Sequence, residues 1–415
     1  MDKNNKIFIA ASLANGASFS MILPLLAPLV RQLKLSELQG GAMVSGGALL
    51  MAIAAIYISK NQNKFSIYQL LSLGFMGMTM TWAIFTAVLF YGLSAQLSLI
   101  SLFGLLMAAR AGTGVFMAMP QIALQTYVMT RYVDEQQRSR TMSKFGALNS
   151  VGVIVGPFLT TLLLAWGILA PLWAAMIILS LMSLVIVSGF ERSSTIQSAR
   201  QDSVLNQAHS DSDFSIRQSF AWLLLGFSLY LAIVTVNLTA GFYIQDHFHM
   251  SIAQSAVYFS RCSLIVGIAL VIMQSLISKY LQWSVDRLLW VGILSMTAGL
   301  LISVLTQHIH IFQFAYILYG IAVACLIPAF TTGAAQNAPK TLQAKVASWC
   351  TAIQALSFVL GPIVSTGLYQ WHKSYPYYFL LLLMLGLMIY FAMLFLVQDK
   401  KKIIADLLPV FKKIN

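Results

Sequence analysis

The sequence predicts an all-α, polytopic membrane protein with twelve transmembrane helices in two pseudo-symmetric six-helix bundles. Three observations lead there. Hydrophobic residues make up 59% of the 415 and charged residues 9%, whereas a soluble chain carries about 25% charge; the mean hydropathy is +0.80. Apolar runs of about 20 residues, the length that crosses a bilayer, recur along the chain. The 25 basic and 12 acidic residues are distributed very unevenly between the loops. This composition excludes an ordinary soluble enzyme, a disordered scaffold and a nucleic-acid binder built on a basic surface. An outer-membrane barrel is excluded too, because its strands alternate polar and apolar residues over about ten positions.

The spans fall near 7–30, 39–58, 67–90, 97–118, 145–165, 169–189, 219–244, 253–277, 286–306, 311–333, 346–368 and 376–398. The first holds Pro24 and Pro28 and exceeds the length of a signal-peptide core; a second span follows with no small-residue cleavage site, so the N-terminus reads as retained. Segments near 119–130 and 334–345 extend the fourth and tenth helices. Between the sixth and seventh spans lies the one long polar stretch, 191–216, rich in Ser, Gln and Asp, which reads as a linker. The expected organisation is an N-terminal bundle at 1–190, the linker at 191–216, a C-terminal bundle at 217–399 and a basic tail at 400–415. That tail, with Ile403, Ile404, Leu407 and Leu408 among its lysines, suits the anionic cytoplasmic leaflet.

Basic residues set the orientation. Twenty of the 25 fall on the side of the N-terminus, including Lys60, Lys64, Arg138, Lys279 and Lys400; the other side holds only Arg31, Lys34 and Lys373. The positive-inside rule therefore puts both termini in the cytoplasm, with the chain in a plasma (bacterial inner) membrane. No nucleic acid is needed to explain the charge. Cys262, Cys325 and Cys350 all lie in apolar runs, so no disulfide framework is indicated.

The halves echo each other. Ile58-Ser59-Lys60 ends the second span and Ile277-Ser278-Lys279 the eighth. Pro120 in the fourth helix corresponds to Pro328 in the tenth, and Gly156-Pro157 in the fifth to Gly361-Pro362 in the eleventh. Arg110-Ala-Gly-Thr-Gly lies in the fourth helix, Gly152-Val-Ile-Val-Gly156-Pro157 in the fifth, and Arg138 follows Asp134-Glu135 in the loop before it. With twelve spans and a central linker, these patterns resemble the major facilitator superfamily, and the Gly-x-x-x-Gly-Pro run resembles its antiporters. Ser59-Lys-Asn-Gln-Asn63-Lys64-Phe-Ser66 departs from the family's Gly-x-x-x-Asp-Arg-x-Gly loop: Asn63 replaces the acid and Ser66 the glycine. The resemblance implies a secondary transporter that works by alternating access, with a small-molecule substrate held between the bundles near the midplane. No nucleotide loop, metal-ligand cluster or catalytic triad is present in the sequence. No cofactor, metal or catalytic residue is assigned, and the chain reads as a monomeric carrier and not an enzyme.

Two basic residues lie deep within spans. Arg110 is about 18 Å and Arg261 about 12 Å along its helix, at about 1.5 Å per residue. A charge at the bilayer centre costs roughly 2.5–3.5 kcal/mol. No acid lies comparably deep; Asp246 caps the outer end of the seventh helix. Two guanidinium groups without a carboxylate favour anions, so the sequence points to export of a small anionic or carboxylate-bearing molecule, siderophore-like or an organic acid. The alternatives are a multidrug efflux antiporter for neutral or cationic amphiphiles and an importer of an anionic nutrient. Asn15, Gln121, Tyr230, Asn237, Tyr258 and Gln354 join the arginines as candidate substrate-binding residues; such side chains also serve as bonds between helices. Gly152 and Gly156 permit close helix approach, and Pro157, Gly361 and Pro362 are candidate hinge positions. Protons are the expected coupling ion, with Asp246 the nearest candidate acid.

Overall fold

The computed structural model describes residues 3–61, 64–94, 98–131, 151–152, 154–190, 216–281, 283–336 and 343–412. The linker at 191–215, the loop holding Asp134, Glu135 and Arg138, and Asn63 lie outside the described residues. The described chain is helical throughout. In order, the helices are α1 (Lys3–Met21), α2 (Leu23–Gln32), α3 (Glu37–Lys60), α4 (Ile67–Leu93), α5 (Leu99–Arg131), α6 (Ile154–Trp166), α7 (Ala170–Gly189), α8 (Ile216–His247), α9 (Ile252–Leu276), α10 (Val285–Leu305), α11 (Ile309–Ala335), α12 (Gln343–Trp371) and α13 (Tyr375–Lys412). Among the described residues eleven spans are long and apolar enough to cross a membrane, and α6 is a shorter apolar helix whose sequence run begins outside them.

Local chemistry sets the helix boundaries. Ser36, Ser66 and Ser251 each accept from the backbone N–H three residues on, while Gln39, Gln69 and Gln254 reach back to the cap. These reciprocal pairs satisfy donors that a helix start leaves open. The first span is not one helix. Pro24 has no N–H to give, and the chain turns at Met21–Ile22 with the Leu25 N–H donating to the Ile22 carbonyl at 2.9 Å. The fourth span runs on as one helix to Arg131, as expected. The last span likewise continues as one helix to Lys412, into the tail.

Apolar side chains such as Ile53, Met80, Leu184 and Leu382 are exposed on the outside of the bundle, where lipid is the solvent. Trp166 and Trp371 at one end and Tyr280 at the other are also strongly exposed, as aromatic rings are at the two membrane interfaces. Within the first half, α1 packs on α7, α4 on α5 and α7, and α3 on α5; in the second, α10 packs on α11, and α8 on α11 and α12. Between membrane helices close packing supplies much of the attraction. Gly156 illustrates it: a Cβ there would stand 2.6 Å from the Ala17 carbonyl, so only glycine lets α6 lie on α1. The halves meet where α2 touches α8 and α9, and where α3 touches α12.

Candidate transport cavity and seal

A cavity of about 190 Å³ lies between the halves. Ser20 and Leu23 of the first span and Pro157 of α6 line one side. Ile233, Val236 and Asn237 of α8, Ser263, Val266, Gly267 and Leu270 of α9, Met296 of α10, and Tyr316, Tyr319 and Val323 of α11 line the other. No lining residue is ionisable as an acid or a base in the neutral range. Most of the polar groups are already occupied. The Ser20 hydroxyl donates to the Gly16 carbonyl at 2.9 Å, Ser263 to Phe259 at 3.0 Å, and the Tyr319 and Ser303 hydroxyls are 2.7 Å apart. Asn237 donates its Nδ2 to the Ile233 carbonyl at 2.8 Å. That bond fixes the amide and leaves Oδ1 without a hydrogen-bond donor among the described residues.

The end of the bundle that carries Asp246 is closed by charge. Arg31, in the last turn of α2, grips the Asp246 carboxylate with Nη2 to Oδ2 at 2.8 Å and Nη1 to Oδ1 at 3.3 Å. The same Nη2 lies 2.7 Å from Glu37 at the start of α3. The Tyr369 hydroxyl donates to Asp246 Oδ2 at 2.7 Å, and Lys373 Nζ donates to the Asp246 backbone carbonyl at 3.0 Å. The guanidinium also stacks over the Phe242 ring at 5.5 Å. Bidentate Arg–carboxylate pairs fix geometry as well as adding energy. This cluster ties α2 and α3 of the first half to α8 and α12 of the second.

Two further contacts join the halves and are related by the internal echo. The Ser260 hydroxyl of α9 donates to the Pro157 carbonyl of α6 at 2.7 Å, and Thr161 donates to the same carbonyl at 2.9 Å. The Thr161 and Ser260 hydroxyls also touch. In the other seam Thr366 donates to the Pro362 carbonyl at 2.7 Å, and Gly41 of α3 lies against both. The sequence offset that relates Ile58-Ser59-Lys60 to Ile277-Ser278-Lys279 also relates Gly41 to Ser260. Each Gly-Pro carbonyl is therefore met by the equivalent position of the opposite half.

Of the residues expected from sequence to bind substrate, Asn237 lines this cavity. Asn15 instead lines a gap of about 10 Å³ inside the first half, with Ser18, Trp82 and Met117; that is room for about one water molecule. Tyr230 is wedged between the rings of Phe330 and Phe358, at 6.2 and 5.9 Å. Gln121 is exposed, and Gln354 and Tyr258 are half-buried. Arg110 is half-buried beside Gly47, with no hydrogen-bond or ion-pair partner among the described residues. Arg261 is exposed. At 3.6 residues per turn it projects from the side of α9 opposite Ser263, Val266, Gly267 and Leu270, in line with the exposed Ile268 and Ile272. The structure thus separates the two arginines that the sequence reading put in one cavity, because depth along a helix does not specify direction around it.

The candidate hinge residues divide. Gly152 and Gly156 pack α6 onto α1 within the first half, and Gly361 packs α12 against Leu231 and Val234 within the second. Pro157 and Pro362 are the ones whose carbonyls lie at the seams. Asp246 proves to be the centre of an ion-pair cluster. Arg31, Glu37, Tyr369 and Gly41 were not singled out from sequence. The signal for the first two was available: so few charges lie on the Asp246 side that Arg31, Lys34 and Lys373 had only Glu37 and Asp246 to pair with.

Residues 8–355, and again 282–407, match the family model described as Major Facilitator Superfamily. No curated protein sequence matches the chain. Among solved structures, the nucleoside transporter NupG superposes with a TM-score of 0.69 at 11% identity, over 95% of this chain and 99% of that one. A bacterial homolog of the human lysosomal transporter Spinster, inward-facing and unoccupied, gives 0.64 at 14% identity over 88% and 82%. The human organic anion transporter TETRAN gives 0.61 at 18% over 93% and 98%. Identities this low speak to the fold alone. The family model spans most of the sequence, the helices are those of a polytopic membrane protein and a cavity lies between the halves; the chain belongs to the major facilitator superfamily, as a membrane transporter and not an enzyme.

Proposed function

We propose that this chain is a secondary active exporter for a small, uncharged, largely apolar molecule that carries at least one hydrogen-bond donor. The bundles at 1–190 and 217–399 rock about the two proline seams, exposing the cavity to one side at a time. The observation that carries the cargo class is the cavity wall: apolar side chains, no charge, and two polar groups without a partner among the described residues, the Asn237 amide oxygen, which can only accept, and the Tyr316 hydroxyl. An apolar cavity of about 150 Å³ holds a benzene ring, so about 190 Å³ suits a small aromatic or branched aliphatic frame. Export as the direction rests on the likeness of the Gly152–Pro157 run to the antiporter pattern.

With the Asp246 side outermost, as the basic residues assign it, this conformation is closed outward. The face of α1 that reaches the cavity at Ser20 continues at Leu13 and Lys6, both exposed, which supports an approach from the cytoplasmic side. Protonation of Asp246 would remove the charge that Arg31 holds, so a proton arriving from outside would loosen the seal. That is how coupling to protons would work here.

An anionic cargo is the second reading, and one observation favours it: the Arg110 guanidinium has no partner among the described residues, although a charge within a span is costly. Thermal stabilisation of the purified protein separates the readings, since a ligand that binds only the folded state raises Tm by mass action. The neutral 1-naphthamide should raise Tm more than 1-naphthoate or 1-naphthylmethylammonium. Asn237→Leu should weaken naphthamide about tenfold, the loss of one hydrogen bond of about 1.4 kcal/mol. Stabilisation by naphthoate that disappears in Arg110→Gln would replace the neutral reading with the anionic one.

A further inference from the structure

Arg261 is a cation on a membrane-spanning helix, turned away from the cavity, with no acid or carbonyl of the described residues bonded to it. Among the described residues its cation–π partner is the Tyr258 ring, with the guanidinium carbon 5.5 Å from the ring centroid. A cation–π contact supplies no hydrogen-bond acceptor of its own at the guanidinium edge, so among the described residues the five N–H donors are left without one. The flanking residues on the same stripe, Ile268 at 46% and Ile272 at 55% exposed, are those of a lipid-facing surface. The other faces of α9 are taken: Ser260 and Gly267 lie against α6, and Val266, Ala269 and Leu270 against Gly320 of α11.

The height of Arg261 fits a headgroup. With its terminal π turn the span covers Ile252–Leu281, 30 residues, which at about 1.5 Å each is about 45 Å. That is the whole bilayer with both headgroup layers, of which the hydrocarbon core takes about 30 Å. The core therefore begins about five residues into α9, and Arg261 is rooted about 6 Å below that boundary. Helical side chains lean toward the N-terminus of their helix, which for α9 is the end nearer the headgroups. The guanidinium has gone that way, since it lies over Tyr258, one turn nearer the same end. A fully extended arginine spans the remaining distance, its methylenes in lipid and its charge at the interface.

We propose that Arg261, with Tyr258 as the platform that aims it, binds the phosphodiester of a glycerophospholipid in the leaflet on the Asp246 side. The phosphate oxygens match the guanidinium fork, and the acyl chains lie along Ile268 and Ile272. This site is independent of the transported cargo.

The test is native mass spectrometry of the full-length protein with dioleoylphosphatidylglycerol, dioleoylphosphatidylcholine and dioleoylglycerol, which has the same chains without phosphate. Wild type should retain the two phospholipids about tenfold more strongly than dioleoylglycerol. Arg261→Gln should abolish that difference, and Arg261→Lys should keep part of it. Tyr258→Leu should weaken it while leaving the charge in place, and its retained Tm guards against a folding artefact. Inorganic phosphate should not compete at millimolar concentration; if it does, the ligand is a free anion and the lipid assignment is wrong. Equal phospholipid retention by wild type and Arg261→Gln would also overturn the proposal.

Discussion

Asp246→Asn will part the helices that close the Asp246 side. In the closed form the carboxylate receives two bonds from Arg31 and one from Tyr369. Asparagine keeps the size but removes the charge, and it turns an N–H₂ group toward donors that need an acceptor. Charge-assisted bonds contribute about 1.5–3 kcal/mol when sheltered. Arg31 and Asp246 are 31% and 30% exposed, so solvent screening reduces that sum. A net loss of about 1.5 kcal/mol shifts the closed–open equilibrium about tenfold. Spin labels at Leu38→Cys and Trp371→Cys, at the ends of α3 and α12, read the change as a longer distance population. The native Cys262, Cys325 and Cys350 are buried and should not compete for label. Arg31→Gln should open the seal further, because it leaves both Glu37 and Asp246 without their cation. Added salt should narrow the gap between wild type and Asp246→Asn. An unchanged distance distribution in Asp246→Asn would show that the cluster does not hold this side shut.

Gly41→Val should have an effect at least as large, by steric means. A Cβ at residue 41 would collide with the Thr366 hydroxyl and stand 2.6 Å from the Pro362 carbonyl oxygen. The latter is backbone of a packed helix and cannot swing aside, so α3 and α12 must separate. Overpacking of this kind costs about 1–3 kcal/mol, and here it falls on the closed form alone, since the seam parts when this side opens. Transport should fall tenfold or more, with the same spin-label pair reporting the open form and Tm nearly unchanged. Gly156→Val is the contrast. Its clash with Ala17 lies inside one bundle and is present in every conformation, so the loss there should be in Tm. If Gly41→Val lowers Tm as Gly156→Val does and leaves the distances alone, the α3–α12 seam is structural packing and not a moving contact.

The spans were legible because a bilayer demands about 20 apolar residues, and that demand is written in one dimension. The internal echo was legible as well, and it led to Ser260 and Gly41 meeting equivalent carbonyls. The break at Met21–Ile22 had its cause in plain sight at Pro24, although the run around it is apolar enough to read as one helix. The arginines were harder. Their depth follows from counting residues, but whether a side chain faces cavity or lipid depends on which neighbours cover the other faces of its helix. For Arg261 those neighbours are residues 154–161 and 320, far away in sequence. The Arg31–Asp246 pair spans more than two hundred residues, and only the scarcity of charge on that side hinted at it.

The seal on the Asp246 side contains two cations, Arg31 and Lys373, and two anions, Glu37 and Asp246. A membrane voltage acts on an elementary charge with about 2.3 kcal/mol per 100 mV across the full thickness. With Asp246 ionised this cluster is electrically neutral as a unit, so its own charges carry nothing net through the field when it opens or closes. The resting potential then acts on the seal only through the proton that neutralises Asp246, which leaves the cluster with one net positive charge. With an uncharged cargo, any current accompanying turnover belongs entirely to the coupling ion, and its sign and size would count those ions directly.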